Sequence, residues 1–293
     1  MRDVFSELID YAGLFPPATC TMAEAVRNYH AYRISGDRWM LGTFVVAAAR
    51  LEELSAVLEV EQVPLPAADP WRVSVVMGVN IPAELERIAD FQAAWEGRGV
   101  AVVAIEYKVA SPGQVLAISE QIPATYRRYF EVPIEGPYRQ LLGAIRRAGA
   151  LAKVRTGGTT PELFPTAEQL TRFLLAATRQ RVAFKATAGL HHPIRGEFPL
   201  TYAPDAPRHV MYGFVNVLLA TAELAREGEG ETAQAILEDD DPAHFLRAPD
   251  AMVWCDTRYR TDELLAVRAE LFLGFGSCSF REPVDELQLG GRA

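Results

Sequence analysis

Residues 100–109 read VAVVAIEYKV and residues 73–79 read VSVVMGV. Both runs are apolar nearly throughout. A strand with one wet face alternates apolar and polar residues, whereas a run without alternation is covered on both sides, as in a parallel sheet flanked by helices. Comparable runs fall at 8–14, 39–47, 129–134, 151–155, 182–186 and 271–276. Between them lie segments such as MAEAVRNYHAYRI (22–34), PAELERIADFQAAWEGRG (82–99), GPYRQLLGAIRRAGA (136–150) and TAEQLTRFLLAATRQR (166–181). Apolar residues recur there at spacings of three and four, the pattern of a helix with one buried face. Eight such strands with helices between them predict an α/β fold of the (β/α)8 TIM-barrel type, which fits in about 250 residues. A doubly wound open sheet is the competing arrangement, but no Gly-x-Gly-x-x-Gly or P-loop turn follows an early strand.

The 293-residue chain reads as a single barrel domain, 1–293, with a long insertion after the seventh strand at about 190–261. That segment holds a proline-punctuated stretch (191–209), a helix near 210–226, an acidic stretch, and the run AMVWCD (251–256), which reads as a strand. It has too little apolar material for a core of its own.

Composition narrows the function. A formal charge of −9 argues against a nucleic-acid or anionic-membrane surface. No apolar run approaches the roughly 20 residues that span a bilayer. The acids Glu227, Glu229, Glu231, Glu238, Asp239, Asp240 and Asp241 read as a solvated loop and helix ends. Cys20, Cys255 and Cys278 are too few and too scattered for a disulfide framework or a Cys-x-x-Cys zinc site. The N-terminus lacks the pattern of a signal peptide, so a reduced, cytoplasmic enzyme is the expectation.

Only three of the 29 basic residues are lysine: Lys108, Lys153 and Lys185, all in strand-like runs. Lysine can shed its proton and attack a carbonyl, whereas guanidinium stays charged. Lys153 and Arg155 alternate along strand six, and Lys185 and Thr187 along strand seven, so each pair faces one side. Neighbouring strands lie about 4.8 Å apart. If the pairs face inward, the two lysines meet at the barrel mouth, where like charge and burial push one amine toward neutrality. The plainer alternative is that each lysine pairs with a buried acid; for Lys108 that partner would be Glu106 or another acid nearby.

Four segments together resemble deoxyribose-phosphate aldolase and its relatives, the class I aldolases of (β/α)8 fold. LIDYAGLFPPAT (8–19) is similar to that family's opening strand and proline-bearing loop. RRAGALAKVRTGG (146–158) resembles its strand-six motif, and FKATAGLHHPIR (184–195) its strand-seven lysine followed by a glycine turn. LFLGFGSCSF (271–280) resembles the closing strand and its phosphate loop. The motifs come in the right order, and the 32 residues from Lys153 to Lys185 suit one strand–helix–strand unit.

The resemblance implies a lyase of carbohydrate metabolism that needs no cofactor and acts on a small carbonyl substrate through a Schiff base. Lys153 would be the nucleophile and Lys185 the lysine that lowers its pKa. Asp10 would sit at the mouth in a proton relay, and Glu106 would stand near the family's catalytic aspartate. Glu135 would occupy the loop after strand five, and Gly276 and Ser277 would belong to the anion-binding turn. Thr187 would face the substrate.

Three features depart from the family. Arg155 replaces a small hydroxyl residue, which suits a bidentate grip on a carboxylate or phosphate. Leu190, His191 and His192 follow the first glycine after strand seven where a second glycine is expected, which weakens a backbone phosphate cradle. The insertion would overhang the mouth, as a lid or as a contact in a homo-oligomer.

His191 and His192 are candidates for substrate binding or acid–base work. With Glu131, Glu135, Asp10 or Cys278 they form the alternative of a metal-dependent hydrolase or lyase. Cys278 could be a reactive thiol, but with no sign of a lowered pKa it reads as a buried, inert one. Nothing pairs the Gly276–Ser279 turn with a histidine and an acid as a hydrolase would need. A third reading is a non-catalytic, ligand-binding barrel, which gains if each lysine is locked to an acid.

Overall fold

The computed structural model describes residues 1–289. Eight parallel strands close on themselves. In chain order they begin with β1 (Ile9–Tyr11), β2 (Leu41–Ala47), β3 (Trp71–Val76), β4 (Val100–Lys108), β5 (Arg127–Val132), β6 (Leu151–Arg155) and β7 (Phe184–Thr187). Two short hairpin strands follow, β8 (Gly196–Pro199) and β9 (Arg208–Met211), then a small antiparallel sheet of β10 (Phe245–Ala248), β11 (Ala251–Trp254) and β12 (Thr257–Arg260). The eighth barrel strand is β13 (Phe272–Ser277), which pairs with β7 on one side and β1 on the other. The chain is a (β/α)8 TIM barrel.

Helices α1 (Met22–Ile34), α2 (Leu51–Glu61), α3 (Ile81–Trp95), α4 (Pro112–Gln121), α5 (Tyr138–Arg147) and α6 (Ala167–Gln180) connect successive strands. Their starts are written in the sequence. Thr21 and Glu24 form a reciprocal capping box on α1, and Thr166 and Gln169 do so on α6, each satisfying otherwise orphaned amides. The strands pack outward against the helices through large aromatics; Tyr29, Phe44 and Trp71 meet edge to face or tilted, with centroids 4.7–6.1 Å apart.

The expected insertion after β7 is present, but it is not one appendage. Helix α7 (Phe214–Ala225) is buried at every position from Phe214 to Leu224, the polar Asn216, Thr221 and Glu223 included. It packs between α6 and α9 (Thr261–Glu270) and stacks Phe214 on Phe275 of β13. So α7 belongs to the helical ring. Buried Asn216 fastens the rest to it: its amide donates to the carbonyls of Ile236 in α8 (Gly230–Glu238) and of Asp239, and its Oδ1 accepts from the Arg195 amide. The helix expected from 210 begins at Phe214, because Arg208–Met211 pairs in a hairpin. The last helix, α10 (Arg281–Leu289), starts directly above the end of β13. Among the described residues no helix is long and apolar enough to cross a membrane.

Candidate active site

The register brings the two lysines side by side. Lys153 on β6 and Lys185 on β7 are paired Cα positions, and Glu131 on β5 is the partner of Lys153 on its other flank. Both ammonium groups are buried, and both are paired. Glu106 of β4 reaches between them: its Oε2 lies 2.9 Å from Lys153 Nζ and its Oε1 2.6 Å from Lys185 Nζ. Lys153 Nζ also meets Glu131 Oε2 at 2.9 Å, and Lys185 Nζ donates to Asp10 Oδ2 at 2.8 Å. The Ser74 hydroxyl donates to Glu106 Oε1 (2.6 Å), the Thr43 amide donates to Asp10 Oδ1 (2.7 Å), and the Tyr129 ring lies 4.6 Å from Lys185 Nζ. The result is a continuous chain of alternating charge, Glu131–Lys153–Glu106–Lys185–Asp10.

This corrects the expected charge state. Two neighbouring ammonium groups were expected to drive one toward neutrality. Burial does push each lysine that way, but Asp10 and Glu106 around Lys185, and Glu106 and Glu131 around Lys153, outweigh it and raise both proton affinities above the ordinary lysine value. Reciprocally, burial opposes the charge on Glu106, while Lys153 and Lys185 hold its carboxyl well below the usual range. Both amines therefore rest as cations.

A cavity of about 460 Å³ opens above this chain at the C-terminal ends of the strands, where barrels of this fold place their active sites. Lys153, Lys185, Glu106, Glu131, Arg155, Thr187, His191, His192 and Gly276 line it. Phe15, Pro16 and Pro17 after β1 form part of its wall, and Pro199–Tyr202 and Met211 of the insertion overhang it. Arg155 is half-buried, its Nη2 3.6 Å from Glu131 Oε1 and its Nη1 donating to the Gly157 carbonyl at 3.3 Å. Gly189, at φ +75°, lets the backbone leave β7 against that leaving β6; a Cβ there would sit 2.7 Å from Gly157 Cα.

Three expected positions differ. Asp10 does not reach the mouth; it lines a separate cavity of about 280 Å³ among the N-terminal ends of the strands, with Arg72, Arg127 and Arg268. Its carboxylate contacts the Lys185 ammonium, which lines both cavities. Glu135 is exposed and accepts a hydrogen bond from Gln169 Nε2 at 3.0 Å, outside the cavity lining. Lys108 is exposed at the last residue of β4. The acid sequence reasoning missed as a lysine partner is Glu131. Its signal was a lone carboxylate two residues beyond Tyr129 in an apolar strand, on the same face. Ser277 is buried beneath the surface, its hydroxyl accepting from the Ser279 amide.

The two histidines point to different partners. His191 is buried, with Nδ1 2.9 Å from Glu282 Oε2 and 3.4 Å from Ser277 Oγ, and Nε2 3.9 Å from Cys278 Sγ. His192 stacks on Phe198 and places Nδ1 2.8 Å from Glu286 Oε1. Among the described residues the one group of His, Cys, Asp and Glu side chains close enough to share an ion is Asp239, His244 and Cys255, away from this cavity. Cys278 also has the histidine and acid that the sequence did not pair with it.

Burial works against charge on His191, but Cys278 and Glu282 outweigh it and bring its pKa up to about 9. Burial lowers that of His192 despite Glu286. A folded-state value above the unfolded one stabilises the fold below the unfolded pKa and loses that contribution as pH rises through the folded one. Stability is therefore expected to fall by about 3 kcal/mol between pH 6.5 and 9, and urea unfolding of His191→Asn should lack this fall. An equal fall in the variant would remove His191 as its source.

Comparison of the chain with protein-family models and with curated proteins found no match.

Proposed function

We propose that the barrel is a class I aldolase-type lyase, forming or cleaving a carbon–carbon bond next to a carbonyl through an imine on Lys153. The observation that carries this reading is the placement of Lys153, side by side with Lys185, in the lining of the cavity at the C-terminal ends of the strands. An ammonium cannot attack a carbonyl, so a resting cation needs a proton acceptor in contact. Glu106 and Glu131 are two such acceptors at 2.9 Å, and proton transfer to either leaves a neutral amine in the cavity. Attack forms the N–C bond, and the carbonyl oxygen leaves as water after protonation. The iminium takes up the electron pair of the Cα–Cβ bond as an enamine, while the β-hydroxyl proton passes to a neighbouring carboxylate and the β-carbon leaves as an aldehyde. Protonation of the enamine and hydrolysis by water free Lys153. Lys185 keeps Glu106 anionic until that moment, and Asp10 keeps Lys185 charged. Arg155 suits an anionic part of the substrate.

Borohydride reduction in the presence of a panel of small aldehydes and ketones, read by peptide mass spectrometry, tests it. An adduct on Lys153 is expected, with a yield that rises from pH 7 to 10 because the neutral amine is the minor form at rest. The second reading is a ligand-binding barrel without catalysis, favoured by the raised proton affinity of both lysines. Absence of any Lys153 adduct across the panel would leave that reading standing. The metal-dependent alternative has less support: the acids near the mouth are engaged by lysines, and His191 and His192 by Glu282 and Glu286.

A further inference from the structure

The imine chemistry leaves unused a second polar group in the same cavity, built where β13 ends. The geometry points to Cys278, His191 and Glu282 as a second reactive centre, in which the Cys278 sulfur adds reversibly to the carbonyl carbon of a small aldehyde. Cys278 and Glu282 line the cavity with Lys153, and β13 stands two places round the barrel from β6, with β7 between.

The three side chains come from separate places. Cys278 follows β13, His191 follows β7, and Glu282 lies in the first turn of α10. Nucleophile, imidazole and orienting acid are in order: Sγ to Nε2 is 3.9 Å, and Nδ1 to Glu282 Oε2 is 2.9 Å. The Tyr202 hydroxyl, from the overhanging insertion, donates to Glu282 Oε2 at 3.2 Å and lies 3.6 Å from Sγ. Glu282 holds one imidazole nitrogen so that the other faces sulfur. His191 rests as an imidazolium near pH 7, so Nε2 carries a proton that it can give to the carbonyl oxygen when sulfur adds.

The step balances without a co-reactant. The thiol proton leaves to solvent, and the S–C bond forms as the carbonyl π pair moves to oxygen. That oxygen takes the Nε2 proton of the His191 imidazolium, and solvent returns a proton to His191. The product is a neutral hemithioacetal, and reversal releases the aldehyde. Nothing in this step involves the Lys153 amine, so the centre stands or falls separately from the imine.

Limiting iodoacetamide at pH 7 on the intact native protein, with peptide mapping of Cys20, Cys255 and Cys278, tests the centre. Cys278 is expected to alkylate at least about tenfold faster than exposed Cys255. Glycolaldehyde should protect Cys278 alone, reversibly on dialysis, and equally in Lys153→Arg, which cannot form an imine. His191→Asn should slow Cys278 by about tenfold or more while Cys255 keeps its rate, which also reports that the fold is intact. The proposal is overturned if wild-type Cys278 reacts no faster than Cys255, if glycolaldehyde leaves it unprotected, or if His191→Asn leaves its rate unchanged.

Discussion

Replacing Glu106 by glutamine is expected to destabilise the fold by about 3–5 kcal/mol, the usual cost of removing one partner from a buried ion pair. The effect is large because one carboxylate serves two buried ammonium groups, and the amide leaves Lys153 with Glu131 and Lys185 with Asp10. Set against total stabilities of about 5–15 kcal/mol, this is a substantial fraction. Urea unfolding at pH 7 measures it, and a change under about 1 kcal/mol would mean the bridge is not made in solution. The acid side gives an independent reading. The Glu106 carboxyl titrates well below its ordinary range in the fold, so its contribution is fully present above the unfolded value of 4.5 and drains away as pH falls below it. Glu106→Gln should therefore show a shallower loss of stability from pH 5 downward than the parent chain.

The second large effect concerns Lys153. Lys153→Arg keeps a cation between Glu106 and Glu131, so the charge balance of the barrel interior survives. A guanidinium does not give up its proton at accessible pH. Reductive trapping at this position should vanish, and turnover of whichever carbonyl compound is trapped by the parent should fall by a factor on the order of 10⁵, as when a covalent nucleophile is removed. A persisting adduct that maps to Lys185 would move the nucleophile one strand along. Turnover within tenfold of the parent, with no adduct anywhere, would end the imine mechanism.

Much of the barrel was legible because its strands are covered on both faces. Runs such as VAVVAIEYKV admit few other arrangements, and the alternation of Lys153 with Arg155 and Lys185 with Thr187 carried directly into the observed lining. Glu106 was singled out only by the family resemblance, which put it near a catalytic aspartate. The charge state was not legible, since a lysine pair reads as mutual repulsion until the acids between them are placed. Asp10 was put at the mouth by the family resemblance alone, whereas its carboxylate contacts Lys185 and the Thr43 amide and lines the lower cavity. The contact of His191 with Cys278 and Glu282 joins residues 87 and 91 positions apart in loops and a helix start, where no periodicity fixes direction. The short hairpin strands of the insertion, four residues each, carry too little pattern to announce themselves.

Lys185 borders both the cavity at the mouth and the cavity at the opposite end. In barrels of this fold the N-terminal face ordinarily governs stability and the C-terminal face chemistry. Here a single ammonium spans that division, with Asp10 beneath it and Glu106 above. An altered charge at the base, at Arg72 or Arg268 for instance, would be felt at this ammonium, which borders the upper cavity. One side chain thus couples the two ends of the barrel interior electrostatically.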